Sequence, residues 1–467
     1  MTSVLPVAVP IQPKRFWMNP YGLPAVTAYA SVGPDRCRYS FNITVQYRGP
    51  ECSASAIPAL TGATGLVRTL TCPLQQEVVV PEAVVVEAVR TPIGKRGKSL
   101  ANVHPTDLSG YVLRALVERT GIDPGLIDDV IWGCVNQAGD QAAQIGRYAA
   151  LAAGFPESVP GITLNRACGS SQSAFDFAAG MVLGGQYDLV VAGGVESMSR
   201  VPLGSGRDFG RPYGPLVRGR YAADLTSGEF PNDDFNQGIG AERIAANWGF
   251  SRRDLDEYAS RSHELTAAAI DGGAFRDQVV IVPEAPNLLV DEGLRRETTV
   301  DTLAQLKPSY HPDGLIHAGN ASQISDGASA VLIATPERAA ELGLKPIARY
   351  HAGAVAGADP LMMLTGPIPA TEKVLKRSGL TVSDIGAFEV NEAFASVPMA
   401  WLHDLGADLD RLNPLGGAIA VGHPLGASGT ILMTRLLHHM RDKGIRYGLQ
   451  TMCEGGGTAN ATIVELL

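Results

Sequence analysis

From Val84 onward, short apolar runs alternate with stretches of helical period, and this rhythm limits the chain to a small set of folds. Residues 84–89 form the kind of run that a buried strand carries. In 107–120, Leu108, Tyr111, Val112, Ala115 and Leu116 fall on one helix face. Residues 129–135 then read as a strand, 141–153 as an Ala-rich helix, 161–164 as a strand, a helix opens near Ser170, and 188–192 reads as a strand. The alternation resumes at 328–334. Strands follow near 388–390, 448–452 and 461–466, with helices over 392–405 and 427–440. Strands alternating with helices predict an α/β fold with a mostly parallel sheet flanked by helices.

Residues 199–320 break the rhythm. Gly, Pro, Arg and Asp are dense over 199–236, and a strongly helical segment over 251–269 follows with Ser251 as its N-cap. So long a connection reads as an inserted subdomain. The simplest organisation is two βα-rich halves around one insertion. No direct repeat is visible, so any duplication is one of structure only.

Composition removes several function classes. The net charge of −9 leaves no dominant basic face, which argues against a dedicated nucleic-acid binder. No apolar run approaches the roughly 18 residues of a membrane helix. The six cysteines (Cys37, Cys52, Cys72, Cys134, Cys168 and Cys453) are too sparse for a disulfide scaffold, and none form a C-x-x-C pair. A reducing, cytoplasmic setting fits them. Residues 1–76 stand apart, with nine Pro, six Lys/Arg and two acids, against 32 Lys/Arg and 45 acids in the remainder. Lys14 and Arg15 follow the apolar run 4–11 rather than precede it, which is the wrong order for a secretory signal. This stretch is expected to be a poorly ordered extension, with the folded part starting near 77–84.

Four segments carry chemistry. Thr91 to Ser99 ends like a phosphate-binding loop, but Pro92 stands where that motif needs Gly, so it is set aside. Cys168 follows a strand and precedes small residues that open a helix. There, unpaired N–H groups and the positive dipole end favour a thiolate; the alternative is an inert buried Cys. His423 sits between Gly422 and Pro424 in a Gly-rich loop, where it can act as general base toward a thiol. Cys453, in a loop before Gly455, Gly456 and Gly457, suits proton transfer, and the bare Gly455 amide suits an oxyanion. Asn391 either N-caps the helix after it or aims its amide at a water or oxyanion.

Together these segments resemble the thiolase family, acetyl-CoA C-acyltransferases. Residues 87–94, 192–199, 319–322 and 326–328 match as well, and the resemblance spans about 82–467. It implies a duplicated, layered βα fold with an inserted loop domain. The divisions would be 77–198 for the N-terminal half, 199–324 for the CoA-binding insertion, 325–345 for the return to the first half and 346–467 for the C-terminal half. It implies ping-pong cleavage of 3-ketoacyl-CoA by CoA to acetyl-CoA and a shortened acyl-CoA. In that scheme Cys168 is nucleophile, His423 its base and Cys453 the acid/base. Asn391 holds a water at one oxyanion hole, with the backbone N–H groups of Cys168 and Gly455 forming the other. Ser322 and Arg295 would contact CoA, which is a substrate; no metal or redox cofactor is implied. A homodimer or homotetramer is expected, with acyl-CoA and CoA as partners and neither nucleic acid nor membrane. Two departures bear on substrate. Asn236 and Gln237 replace a His-Met pair of biosynthetic thiolases, and Glu454 replaces an apolar residue common in them. The alternatives are a short-chain acetyltransferase forming acetoacetyl-CoA and a non-catalytic acyl-CoA or lipid carrier.

Overall fold

The computed structural model describes residues 81–208, 210–232 and 234–467, together with the backbone of two short antiparallel strands, Thr27–Ala30 and Phe41–Thr44. Residues 1–79 and 80–467 form separate compact units. The expectation of a poorly ordered extension over 1–76 otherwise lies outside the described residues.

In the larger unit nine strands form the path of the sheet. They are β1 (Val84–Arg90), β2 (Asp129–Gly133), β3 (Ile162–Leu164), β4 (Leu189–Ser197), β5 (Ser325–Ala334), β6 (Ala348–Gly357), β7 (Ala387–Val390), β8 (Tyr447–Glu454) and β9 (Thr458–Leu466). Their order is β7-β8-β9-β6-β1-β5-β4-β2-β3, and a two-residue strand, Gly94–Lys95, pairs with β5. The sheet is mixed rather than mostly parallel. Only β2 with β3, β2 with β4, and β7 with β8 run parallel. The short turn 455–457 between β8 and β9 permits only an antiparallel return.

The pairing pattern occurs twice. In the first half β1 pairs antiparallel with β5, β5 antiparallel with β4, and β4 parallel with β2. In the second half β6, β9, β8 and β7 repeat those relations in the same sequence. The halves join where Val84 and Val85 meet Arg349 and Ala348. The segment between β4 and β5 contains helices Pro215–Leu225, Gln237–Trp248, Arg252–Asp271 and Val300–Ala304. Ser251 caps the long one with a capping box to Asp254, as the sequence predicts.

Two helices, Ser170–Leu183 and Leu425–Lys443, fill a central layer between the half-sheets. Ala174, Phe175, Ala178, Met433, Leu436 and Met440 share one core with Val85, Val190, Ile333 and Val464. Helix Leu425–Lys443 is buried on nearly all sides and reads as a core helix, whereas Ser170–Leu183 leaves Phe177 and Met181 exposed on one side. Their first turns touch backbone to backbone: a Cβ on Gly429 would collide with the Gln172 amide nitrogen. On the outer faces, helix Pro105–Thr120 packs Leu108, Val112 and Leu116 over the first half, and Val374, Val397 and Trp401 cover the second.

Candidate active site

The central helices begin where the chemistry-bearing residues lie. Helix Ser170–Leu183 starts two residues after Cys168, and helix Leu425–Lys443 starts two residues after His423. Two positive helix ends therefore belong to one region of the core.

The Cys168 turn is tightly pinned. The Asn165 Oδ1 accepts from the Ala167 N–H at 2.8 Å. Ser170 Oγ accepts from the Arg166 N–H at 2.9 Å and donates to the Ala167 carbonyl at 2.6 Å. This holds Ala167 at φ +44°, in the left-handed region. The Gly169 cap supplies no side-chain acceptor; the Gly169 and Ser170 N–H groups donate instead to the Arg166 and Ala167 carbonyls. Burial nevertheless pushes the Cys168 thiol up, as do Cys453 and Glu454, while the N–H groups of Gly455 and of Cys168 itself pull it down. Those are the two backbone donors that the family resemblance assigns to an oxyanion hole.

The His423 tautomer follows from its neighbours. Ser428 Oγ donates to the Pro424 carbonyl at 2.8 Å and lies 2.6 Å from His423 Nδ1, so it accepts from Nδ1–H and leaves Nε2 without a proton. Burial lowers the imidazole to about 4, so it is neutral at physiological pH. Asn391 Nδ2 lies 3.4 Å from His423 Nε2 and donates to Cys453 Sγ at 3.9 Å. Burial pushes the Cys453 thiol up to about 12; Asn391 and the N–H groups of Cys453 and Ala393 pull against it.

Two local expectations change. The helix expected over 392–405 is Ser396–Leu405, so Asn391 is not its cap and its amide is turned to His423 and Cys453. Cys453 lies in strand β8 rather than in a loop, because the β8–β9 ladder extends to Glu454 and Thr458 and confines the turn to 455–457.

The proposed coenzyme contacts separate. The Ser322 N–H donates to the Ala393 carbonyl at 2.9 Å, which ties Ser322 to the Asn391 segment. Arg295 is exposed; its backbone N–H donates to His263 Nδ1 at 3.2 Å and its carbonyl accepts from the Thr298 N–H at 3.2 Å. Asn236 caps helix Gln237–Trp248, accepting from Gly238 and Ile239. Gln237 is the residue that borders the site: a Cβ on Gly455 would sit 3.0 Å from its Nε2.

Sequence reasoning missed the carboxylates that hold the loops. Glu392 accepts from Tyr258, Ser262, Asn413 and the Ile419 N–H, binding the Asn391 segment to the Gly-rich loop. Glu196 accepts from the N–H groups of Val135, Asn136 and Gly426 and from the side chains of Asn136 and Gln141. It thereby ties the first half to the His423 helix. The signal for Ser428, five residues after His423 in the first helical turn, was present but unused.

Comparison with known proteins agrees over the same span. Residues 83–337 match the thiolase N-terminal domain and 344–466 the thiolase C-terminal domain. The steroid 3-ketoacyl-CoA thiolase FadA6 of Mycobacterium tuberculosis is 47% identical over 390 residues, covering 83% of this chain and 95% of that protein. The 3-ketoacyl-CoA thiolase FadA of Escherichia coli K12 is 42% identical, covering 82% and 99%. The crystal structure of the Bacillus anthracis acetyl-CoA acetyltransferase superposes with a TM-score of 0.74 at 36% identity, covering 83% of this chain and 99% of that one.

Proposed function

The chain belongs to the thiolase family, and on that footing we propose that Cys168, His423, Cys453 and Asn391 carry acyl transfer from a 3-ketoacyl-CoA to CoA. The enzyme is an acetyl-CoA C-acyltransferase that releases acetyl-CoA and a shortened acyl-CoA. His423 Nε2 takes the Cys168 proton, and the thiolate attacks the 3-keto carbon. The bond between the α- and β-carbons breaks, its electrons pass to the acetyl-CoA enolate, and Cys453 protonates that carbon. CoA then gives its thiol proton to the Cys453 thiolate and attacks the acyl-cysteine; Cys168 leaves and regains its proton from His423. The N–H groups of Cys168 and Gly455 serve one oxyanion, and His423 with an Asn391-held water the other.

The observation that carries this reading is two buried thiols in different surroundings. Cys168 stands at a helix start beside the Gly455 N–H, and Cys453 stands beside an amide that also meets His423.

The substrate is read as longer or bulkier than acetoacetyl-CoA. Asn236 is spent on a helix cap and Gln237 borders Gly455, where the biosynthetic enzymes carry His-Met. Ser322 and Arg295 are assigned to CoA, with 199–324 as the CoA-binding insertion between the halves 77–198 (returning over 325–345) and 346–467. A homodimer, alone or paired into a tetramer, is favoured by the open edge at β3, where Ile162 is 52% exposed, and by the exposed Phe177 and Met181 of helix Ser170–Leu183. Among the described residues no helix is long and apolar enough to cross a membrane; the assigned site of action is the cytoplasm.

Thiolysis of acetoacetyl-CoA, a medium-chain 3-ketoacyl-CoA and a ring-bearing 3-ketoacyl-CoA, by wild type and Cys168→Ala, tests the assignment. The longer or bulkier substrates should turn over faster and the variant should be dead. Turnover of acetoacetyl-CoA alone would make the enzyme a short-chain acetyltransferase.

A further inference from the structure

Behind the reacting thiols lies a carboxyl group that the acyl-transfer steps leave unused. Glu454 ends β8 directly after Cys453 and is fully buried. Successive strand residues face opposite ways, so it points away from the Cys453 thiol. Its Oε2 accepts from Thr458 Oγ1 at 2.6 Å across the β8–β9 turn, while Oε1 has no hydrogen-bond partner among the described residues. That free oxygen lies against Gly169, the residue after Cys168, so closely that a Cβ on Gly169 would collide with it. Asn460 reaches the same place, donating from Nδ2 to the Gly169 carbonyl at 3.2 Å and to Ser173 Oγ at 3.3 Å. Carboxyl and amide together floor the turn that presents Cys168. A buried carboxylate oxygen without a donor is costly, which favours the neutral acid.

We propose that Glu454 is a positioning residue for thiolysis: it braces the Cys168–Gly169 turn, and its charge state governs how readily the Cys168 thiol ionises. The inference rests on Cys168 being the nucleophile.

The groups facing Glu454 come from every neighbouring element. Arg166 lies on the turn before Cys168, Asp176 on helix Ser170–Leu183, Cys168 and Cys453 at the site and Thr458 on β9. Behind Asp176 stand Tyr350 of β6 and Arg377 of helix Pro367–Ser378. Burial pushes Glu454 and Asp176 each up to about 7; Arg166 pulls both down, and Asp176 raises Glu454 further. An ionised Glu454 in turn raises both thiols. The neutral acid therefore favours the Cys168 thiolate and the ionised one opposes it.

The test is the pH dependence of Cys168 alkylation by iodoacetamide, followed by peptide mass spectrometry on the full chain. Wild type should bend near neutral pH, the gain in thiolate slackening as Glu454 ionises. Glu454→Gln should lose the bend and react about threefold to tenfold faster at pH 8, the equivalent of half to one pH unit. Thr458→Val removes the hydroxyl that favours the ionised carboxylate, so its bend should move to higher pH. Asp176→Asn should keep a bend. A uniform slowing in Glu454→Gln with the bend retained, or a Thr458→Val profile identical to wild type, overturns the inference. Labelling at another cysteine overturns the nucleophile assignment instead, and the peptide masses distinguish the two failures.

Discussion

The two halves of the molecule share one strand pattern but use equivalent positions for different ends. In the first half Gly133 ends β2 opposite Gly194; in the second Val390 ends β7 opposite Thr451. One residue beyond each strand stand Cys134 and Asn391, and two residues along the neighbouring strands stand Glu196 and Cys453. The first pair is structural. Burial, with the nearby Glu196, pushes the Cys134 thiol far up, and Glu196 spends its oxygens on five donors. The second pair belongs to the proposed reaction centre, with Asn391 in contact with both Cys453 and His423. The helix starts are equivalent too, with Cys168 and His423 each two residues ahead. Each is preceded by a residue of positive φ, Ala167 at +44° and Gly422 at +107°. A duplicated scaffold thus fixes where functional groups can stand, while residue choice decides which equivalent positions are assigned chemistry and which hold the loops in place.

The sharpest way to break this comparison is to remove a cysteine from each role. Cys168→Ala should cut kcat by at least about 10⁴-fold. Cys134→Ala, equally buried, should keep kcat near wild type and cost about 1 kcal/mol of stability. Steady-state thiolysis and thermal unfolding on both variants decide it, and a dead Cys134→Ala enzyme would remove the distinction between the structural and the reacting positions.

Glu196 and Asn391 should separate the same way. Asn391→Ala should lower kcat by about 10²–10³-fold with little change in Tm, as for loss of an oxyanion donor. Glu196→Ala leaves several buried N–H groups without an acceptor and should cost about 3 kcal/mol. Guanidinium denaturation beside kinetics would show whether the two effects part.

A smaller effect concerns the cores. Where the first half places Trp132 on its strand, the second buries Glu389, both of whose oxygens lack hydrogen-bond partners among the described residues. Burial pushes this carboxyl up to about 7, against the pull of Arg435. The native state then keeps a proton that the unfolded chain releases above about 4.5. Stability should fall as pH rises from there to about 7. Glu389→Gln should remove that slope, gaining on the order of 2 kcal/mol at pH 8 relative to pH 5 when both proteins are unfolded in denaturant. The smallest expected change is Ala167→Gly, which copies the Gly422 solution into the first half. Release from left-handed φ should stabilise by up to about 1 kcal/mol, and a lower Tm would show that Ala167 is not strained.

Much of the site was legible because it is built from local signals. A strand, a Cys and a run of small residues announce the Cys168 turn, and Gly-rich sequence marks the His423 and Gly455 loops. Element boundaries were close for helix Pro105–Thr120 and strand β7, where periodicity and apolar runs coincide. They failed where pairing partners set the end of an element. Cys453 looked like loop because three glycines follow, yet the ladder with β9 holds it in strand. Asn391 looked like a cap because a helix follows, yet the intervening segment is held by Ser322 and Glu392.

The sequence by itself determined the residue types and the local turns that make reactive groups available: a thiol ahead of a helix, an imidazole among glycines, a second thiol beside a bare amide. Only the tertiary structure decided which groups meet. Asn391 reaches His423 and Cys453 across 32 and 62 residues, and Glu196 reaches Gly426 across 230. Such contacts depend on how the halves pack around the two central helices. No local pattern encodes that packing, because the burial that fixes it is shared among residues distant along the chain.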